Sequence, residues 1–157
     1  MLAGGAARRG RRTTPKFTMT RILLIDDEEQ IRSTIGALLR ASGYEVSTAS
    51  DGKAGVSLFE REPFDLVITD VLMPVMGGAG VIAALRRLRP GQKIIASYGG
   101  GQVSGADSVA TAQSLGADQL LVKPFTLAEL QAAIAAALGT PGGKPPAHDA
   151  PPTPGPQ

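Results

Sequence analysis

The sequence contains no cysteine, no tryptophan and a single histidine. The lack of cysteine excludes disulfides, thiolate metal sites and a cysteine nucleophile, and it fits a reducing compartment. The one histidine, His148, lies among prolines and is poorly placed for catalysis. No apolar run approaches the roughly 20 residues that a membrane-spanning helix needs, and the N-terminus lacks the apolar segment of a secretory signal. We therefore predict a cytoplasmic protein without a membrane span.

Positive charge is concentrated at the N-terminus of the chain. The first 20 residues contain five arginines and lysines and no acidic residue, so the remainder is net acidic although the whole chain carries +2. This segment shows no amphipathic period, and we predict a disordered basic extension over residues 1–20. We hypothesise that translation starts at Met19, in which case the native protein would lack residues 1–18.

Short apolar runs alternate with helical patterns between residues 21 and 138, which we interpret as one domain. The runs predict five strands, at residues 22–25, 44–49, 64–69, 94–97 and 120–122. Helices are predicted between them, the weakest over about residues 107–115, and Thr126 with Glu129 predicts a capping box on the last one. This alternation predicts an α/β fold, a doubly wound five-stranded parallel sheet with helices on both faces. Proline and glycine dominate residues 139–157, where we predict a disordered tail.

Charged residues follow three of the predicted strands at the point where each strand ends. Asp26 and Asp27 follow the first strand, Asp70 the third and Lys123 the fifth. We expect them to lie close together, because the carboxyl ends of parallel strands meet at one edge of a sheet. Three neighbouring carboxylates repel one another, and a hard divalent cation such as Mg²⁺ relieves that repulsion. A carboxylate can also attack phosphorus to give an acyl phosphate, whose charge Lys123 and the metal would neutralise.

Three segments around these residues resemble the signature segments of response-regulator receiver domains. They are LIDDE at residues 24–28, VITDVLMP at residues 67–74 and LVKPF at residues 121–125. Each is moderately specific alone, but the three in this order are highly specific, and the resemblance covers residues 21–138. It implies a stand-alone CheY-like receiver with the flavodoxin-like strand order 2-1-3-4-5. It also implies a phosphoacceptor in a two-component phosphorelay and not an enzyme, with slow autodephosphorylation at most.

The resemblance implies a role for each matching residue. Asp70 would accept the phosphoryl group from a phosphohistidine on a sensor histidine kinase or phosphotransfer protein. Asp27 would bind Mg²⁺ or Mn²⁺ directly and Asp26 mainly through water, with Asp70 and the backbone carbonyl of Leu72 as further ligands. Lys123 would contact the phosphoryl oxygens, and the peptide bond after this lysine is often cis in such proteins.

Two positions depart from the pattern of the receivers. Most receivers carry a serine or threonine at the end of strand four, where it reports phosphorylation. Counting from the strand start places Tyr98 at this switch position and Ser97 one residue early, so both are candidates. Many receivers also carry an aromatic residue three positions before the lysine, where this chain has Leu120. The usual coupling between that aromatic and the hydroxyl cannot operate here, and we predict that Tyr98 partly replaces it.

Two other functions are alternatives to the phosphoacceptor. A receiver-fold binding module that acts independently of phosphorylation would fit the departures at Tyr98 and Leu120. A metal-dependent phosphatase would carry its nucleophile after the first strand with a second aspartate two residues on, whereas Asp26 is followed by Asp27 and Glu28. No DNA-binding domain is visible in the sequence. We therefore expect output through a partner protein that binds the face formed by the fourth helix, the fifth strand and the last helix.

Overall fold

The computed structural model describes residues 19–99 and 114–139, which form five strands and four helices. In chain order these are β1 Arg21–Ile25, α1 Glu29–Ala41, β2 Glu45–Ala49, α2 Gly52–Arg61, β3 Leu66–Asp70, α3 Gly78–Leu88, β4 Lys93–Gly99, β5 Gln119–Lys123 and α4 Leu127–Leu138. The predicted basic extension before Met19, most of the helix predicted around residue 110 and the predicted tail after Gly139 lie outside the described residues. Among the described helices, none is long and apolar enough to cross a membrane.

All five strands pair in parallel to form one sheet with the order β2-β1-β3-β4-β5. The central strand β3 is buried along its whole length, as expected for a parallel strand covered on both faces. The strand order and the helical layers confirm the predicted doubly wound α/β fold.

Two apolar layers hold the helices against the sheet, because successive residues of a strand point to opposite faces. Leu23, Val67 and Ile94 point to one face, where α2 and α3 supply the rest of the core. Ile22, Ile68, Ile95 and Leu121 point to the other, where α1 and α4 pack. We refer to these as the α2/α3 face and the α1/α4 face. The alternation of side chains along each strand therefore decides on which face its last side chain lies.

Local capping contacts explain where two of the helices begin. The Asp51 carboxylate accepts a hydrogen bond from the Ala54 backbone N–H at 2.7 Å, which caps α2. Thr126 and Glu129 form the predicted capping box at the start of α4, where the Glu129 carboxylate accepts from the Thr126 N–H at 2.7 Å. Gly139 ends α4 in the left-handed conformation, with φ 67°. The prediction of the capping box is confirmed.

Strand boundaries differ from the prediction at β3 and β4. The β1–β3 ladder starts at the pair Ile22–Leu66, so β3 begins two residues later than its apolar run, and it includes Asp70. Strand β4 continues through Tyr98 to Gly99, because its ladder with β5 extends to the pair Gly99–Lys123. The apolar runs predicted the buried part of each strand, whereas the hydrogen-bond ladders set the ends.

Candidate functional site

Three carboxylates from two adjacent strands meet at the carboxyl edge of the sheet. Asp26 follows β1 and Asp70 ends β3, and these two residues are only 1% and 5% exposed, while Asp27 is exposed. One carboxylate oxygen from each of the three lies within 4.8 Å of the others. Because every ligand offered is an anionic oxygen, this donor set fits a hard divalent cation such as Mg²⁺. The structure thus brings together the three aspartates that the sequence predicted to be neighbours.

Lys123, the last residue of β5, joins the two buried carboxylates. Its Nζ lies 2.8 Å from Asp26 Oδ2 and 3.3 Å from Asp70 Oδ2. Leu24, Ile68 and Leu121 point to the α1/α4 face, and each lies two residues before one of the three charged residues. Because side chains two residues apart in a strand point to the same face, Asp26, Asp70 and Lys123 also lie on the α1/α4 face. The Lys123–Pro124 peptide bond is cis, as the resemblance implied.

Backbone N–H groups orient the second oxygen of each buried carboxylate. The Glu28 N–H donates to Asp26 Oδ1 at 2.9 Å, and the Leu72 N–H donates to Asp70 Oδ1 at 3.2 Å. In each case the donor comes two residues after the aspartate, so the turn that follows the strand fixes the carboxylate. Each buried aspartate therefore has one oxygen fixed by the backbone and the other paired with Lys123.

Burial and charge act in opposite directions on the titration of the site. Burial raises the pKa of Asp70 above its usual range, although the Lys123 charge and the Leu72 N–H oppose the change. Burial also disfavours the charged form of Lys123, but hydrogen bonds and attraction from Asp26 and Asp70 outweigh it and raise the pKa of the ammonium. Lys123 consequently stays positive at neutral pH, and Asp70 is a stronger base than an exposed aspartate.

The loop between β3 and α3 returns close to the backbone of Asp70. A Cβ added to Gly78, the first residue of α3, would lie 2.6 Å from the Asp70 carbonyl oxygen and 2.7 Å from Val71 Cα. The loop also turns sharply at Val75, which has φ 70° and is flanked by a hydrogen bond from the Met76 N–H to the Pro74 carbonyl. This is the geometry of a classic γ-turn, which is rare for a β-branched residue. No residue pattern predicts a turn centred on Val75, because valine is not a turn-forming residue.

The register of β4 distinguishes between the two candidates for the switch position. Ser97 is the direct partner of Asp70 across the β3–β4 ladder, and it is buried on the α1/α4 face with Asp70 and Lys123. Tyr98 lies two residues after Ala96, which packs in the core of the α2/α3 face, so the Tyr98 side chain points to that face. Counting from the strand start favoured Tyr98, but the ladder sets Ser97 beside the carboxylate. The register favours Ser97, and the role of either residue in switching stays a prediction.

Leu120 lies on the opposite face of the sheet from the site, whereas Arg32 lies beside the site. Leu120 is half-buried and packs with the core of the α2/α3 face, the face to which Tyr98 points. Arg32 of α1 donates from Nη1 to the Asp26 carbonyl oxygen at 2.7 Å, a contact that the sequence analysis missed. The sequence does place a basic residue one helical turn after Glu28, close enough to the Asp26–Asp27 pair to have suggested a contact.

The sequence matches the family model described as response regulator receiver domain over residues 22–135. Among curated relatives, a probable transcriptional regulator, ycf27, of Guillardia theta is 41% identical over 121 residues, which cover 77% of this chain and 46% of the relative. The transcriptional regulatory protein PrrA of Mycobacterium tuberculosis is 38% identical over 122 residues, which cover 77% of this chain and 51% of PrrA. The chain thus spans about half the length of the curated relatives that it matches.

Solved structures of the same kind superpose on the described fold. A response regulator receiver domain protein from Clostridium thermocellum matches with a TM-score of 0.70 and 34% identity, over 77% of this chain and 95% of that one. The response regulator protein TrrA from Thermotoga maritima, solved in complex with Mg²⁺–BeF, matches with a TM-score of 0.67 and 33% identity. That alignment covers 76% of this chain and all of TrrA.

Proposed function

This chain belongs to the response-regulator receiver family, and we propose that it is a phosphoryl-accepting signalling switch whose acceptor is Asp70. The observation that carries the proposal is the meeting of three carboxylates and one ammonium group at the ends of β1, β3 and β5. Asp70 ends β3, the strand that lies between β1 and β5 in the sheet, and its two oxygens are bound by Lys123 and by the Leu72 N–H. Its raised pKa, caused mainly by burial, is a perturbation typical of functional sites.

In the proposed reaction, a lone pair on a carboxylate oxygen of Asp70 forms a new O–P bond. The P–N bond of a phosphohistidine on the donor protein breaks, and its electron pair stays on the imidazole nitrogen. The product is an aspartyl phosphate on Asp70. Lys123 lies 3.3 Å from Asp70 Oδ2, so its ammonium group is placed to neutralise negative charge on the transferred phosphoryl oxygens. Ser97, which faces the same side from the next strand, is the hydroxyl proposed to bond the phosphoryl group afterwards.

We propose that Asp26, Asp27, Asp70 and the carbonyl oxygen of Leu72 hold a divalent cation, Mg²⁺ or Mn²⁺. When bound, this ion supplies charge neutralisation between the carboxylates and the incoming phosphoryl group. The acidic cluster supports the proposal, because two of its three members are buried and share only one ammonium group. The Mg²⁺–BeF complex of TrrA lends further support, since that relative binds both components.

The proposed partners follow from the chemistry of the acceptor. The donor is a sensor histidine kinase or a phosphotransfer protein, because its phosphohistidine must reach Asp70 at the open carboxyl edge of the sheet.

We propose output by protein–protein interaction in the cytoplasm, through the face that includes β5 and the last helix. The two transcriptional regulators are about twice as long as the stretch they share with this chain. The chain is proposed as an acceptor that is phosphorylated and slowly dephosphorylated, not as an enzyme.

Binding of beryllofluoride, a mimic of the phosphoryl group, tests this function. We expect a bound ¹⁹F NMR signal for the wild type in the presence of Mg²⁺ and none without it. Asp70→Asn should lose the signal. Asp65→Asn, which changes an exposed aspartate just before β3, is the control and should keep it. A wild type that shows no bound signal in excess Mg²⁺ would instead favour a receiver-fold module that binds its partner without phosphorylation.

A further inference from the structure

Arg32 ties the first helix to the end of the first strand. Its Nη1 donates to the backbone carbonyl oxygen of Asp26 at 2.7 Å, across the turn that connects β1 to α1. Its own N–H donates to the Glu28 carbonyl as part of the first helical turn. The side chain is half-buried, so the contact is partly shielded from water. Arg32 therefore contacts both ends of the turn that carries Asp26 and Asp27, one through its guanidinium group and the other through its backbone N–H.

Asp26 is held through each of its polar atoms. Its N–H donates to the Ala49 carbonyl at 3.2 Å, Oδ1 accepts from the Glu28 N–H, and Oδ2 is paired with Lys123. The β1–β2 ladder ends at the pair Ile25–Ala49, so the Asp26 carbonyl lies just beyond the paired part of the strand. The Arg32 side chain supplies the donor for this oxygen.

The charge of Arg32 also matters at this position. Three carboxylates gather at one edge of the sheet, while Lys123 contributes one positive charge to the buried pair. The Arg32 guanidinium is positively charged and hydrogen-bonds to the backbone beside this cluster. A positive charge there opposes the binding of a divalent cation, so loss of the charge alone would strengthen Mg²⁺ binding. A loss of Mg²⁺ affinity on removal of Arg32 would therefore report the loss of its backbone contact.

We propose that Arg32 is a positioning residue for the metal site: by holding the Asp26 carbonyl, it fixes the turn from which Asp26 and Asp27 present their carboxylates. This proposal rests on the proposed function, because it assumes that the carboxylates bind a divalent cation. Arg32 itself touches neither the metal nor the phosphoryl group. Removing it should weaken metal binding while leaving the fold intact, because its contact lies at the surface edge of α1 and not in the core.

The chain offers a matched control on the same helix. Arg40 also donates from its guanidinium to a backbone carbonyl, that of Val46 at 3.2 Å, but near the other end of α1. Arg32→Met and Arg40→Met therefore remove the same chemical group and the same kind of contact. Only the first removes it from the turn that carries the carboxylates.

The test is a titration of the full chain with MgCl₂, followed by ¹H–¹⁵N NMR. The Glu28 and Leu72 amides are the reporters, because they donate to Asp26 and Asp70. For Arg32→Met we expect the dissociation constant for Mg²⁺ to rise by about tenfold, the lower end of what is typical when a partner of a metal ligand is removed. Arg40→Met should stay within about twofold of the wild type. Arg32→Lys, which keeps the charge but loses the planar fork, should fall between them.

Each outcome decides something different. Wild-type affinity in a folded Arg32→Met variant overturns the positioning role while leaving the proposed function intact. An equal loss in both methionine variants overturns it too, because the effect would then come from α1 as a whole. If Arg32→Met does not fold, Arg32→Lys gives the answer, and wild-type affinity there counts against a role for the planar group. If the wild type itself does not bind Mg²⁺, both proposals fail.

Discussion

At the scale of single residues, Asp70 is a carboxylate whose burial conflicts with its charge. Its folded-state pKa lies above the usual range for an aspartate, so the fold binds a proton at this position more readily than the unfolded chain does. The associated stabilisation is complete below the pKa of the unfolded chain and is lost as the pH rises through the folded-state pKa. At neutral pH, the negative charge on Asp70 therefore lowers the free energy of unfolding.

It follows that Asp70→Asn should stabilise the fold at neutral pH. We expect the free energy of unfolding to rise by about 1 kcal/mol, because Lys123 keeps its pairing with Asp26 and one buried charge is removed. The gain should shrink as the pH falls through the raised folded-state pKa of Asp70, and it should be lost below the ordinary aspartate pKa of about 4. Urea denaturation across this pH range measures the effect, with Asp65→Asn at an exposed aspartate outside the acidic cluster as the control. A destabilised Asp70→Asn protein at pH 7 would show that the pairing with Lys123 outweighs the cost of burial.

The two neighbouring residues at the end of β4 make a second test at this scale. Ser97 points to the face of Asp70, whereas Tyr98 points to the opposite one. We expect Ser97→Ala to diminish the NMR shift changes that beryllofluoride causes along β4, because the hydroxyl that can reach the phosphoryl mimic is missing. Tyr98→Phe, which also removes a single hydroxyl, should leave those changes close to wild type. The reverse pattern would assign the switch to Tyr98 and contradict the register argument.

At the scale of secondary-structure elements, the contact between β3 and α3 holds the acceptor in place. Helix α3 begins at Gly78 directly against the backbone of Asp70 and Val71, where there is no room for a Cβ atom. The Gly78 N–H also donates to the Val71 carbonyl at 2.9 Å. Any side chain at this position must therefore displace either the helix or the end of the strand.

Gly78→Ala should consequently lower stability and disturb the site together. We expect a loss of about 2 kcal/mol in the free energy of unfolding, the usual scale for overpacking a well-filled position. The phosphorylation rate of the folded fraction should fall as well, because the backbone of Asp70 must move. Gly91→Ala is the matched control, since a Cβ there would meet no atom within 4 Å. If both substitutions had the same small effect, the close approach of α3 to Asp70 would not constrain the acceptor.

At the scale of the whole molecule, the sequence predicted which residues form the strands better than it predicted the strand ends and the register between strands. Apolar runs identified the strands, and the charged residues after them located the site, because both features depend on burial and on the parallel arrangement alone. The position of Ser97 beside Asp70 was not predictable in this way, since it depends on the register between β3 and β4. The γ-turn at Val75 was not predictable because valine is not a turn-forming residue, and the contact of Arg32 was not predictable because a basic residue in the first turn of a helix can equally point to solvent.

Metal binding should also stabilise the molecule as a whole. A cation that binds the folded carboxylates and not the unfolded chain raises the free energy of unfolding by mass action. Above the dissociation constant, each tenfold increase in Mg²⁺ should add about 1.4 kcal/mol. Thermal unfolding in MgCl₂, compared with NaCl at equal ionic strength, measures this gain. An identical melting temperature in the two salts would mean that the acidic cluster has no specific affinity for Mg²⁺.

The most direct test of the central claim is the intact mass of the protein after incubation with acetyl phosphate and Mg²⁺. We expect a gain of about 80 Da in the wild type, which is one phosphoryl group. We expect the same gain for Asp65→Asn and none for Asp70→Asn, or for the wild type when the metal is chelated. An adduct that persists in Asp70→Asn would place the acceptor elsewhere, and the absence of any adduct in excess Mg²⁺ would contradict the phosphoryl-accepting function itself.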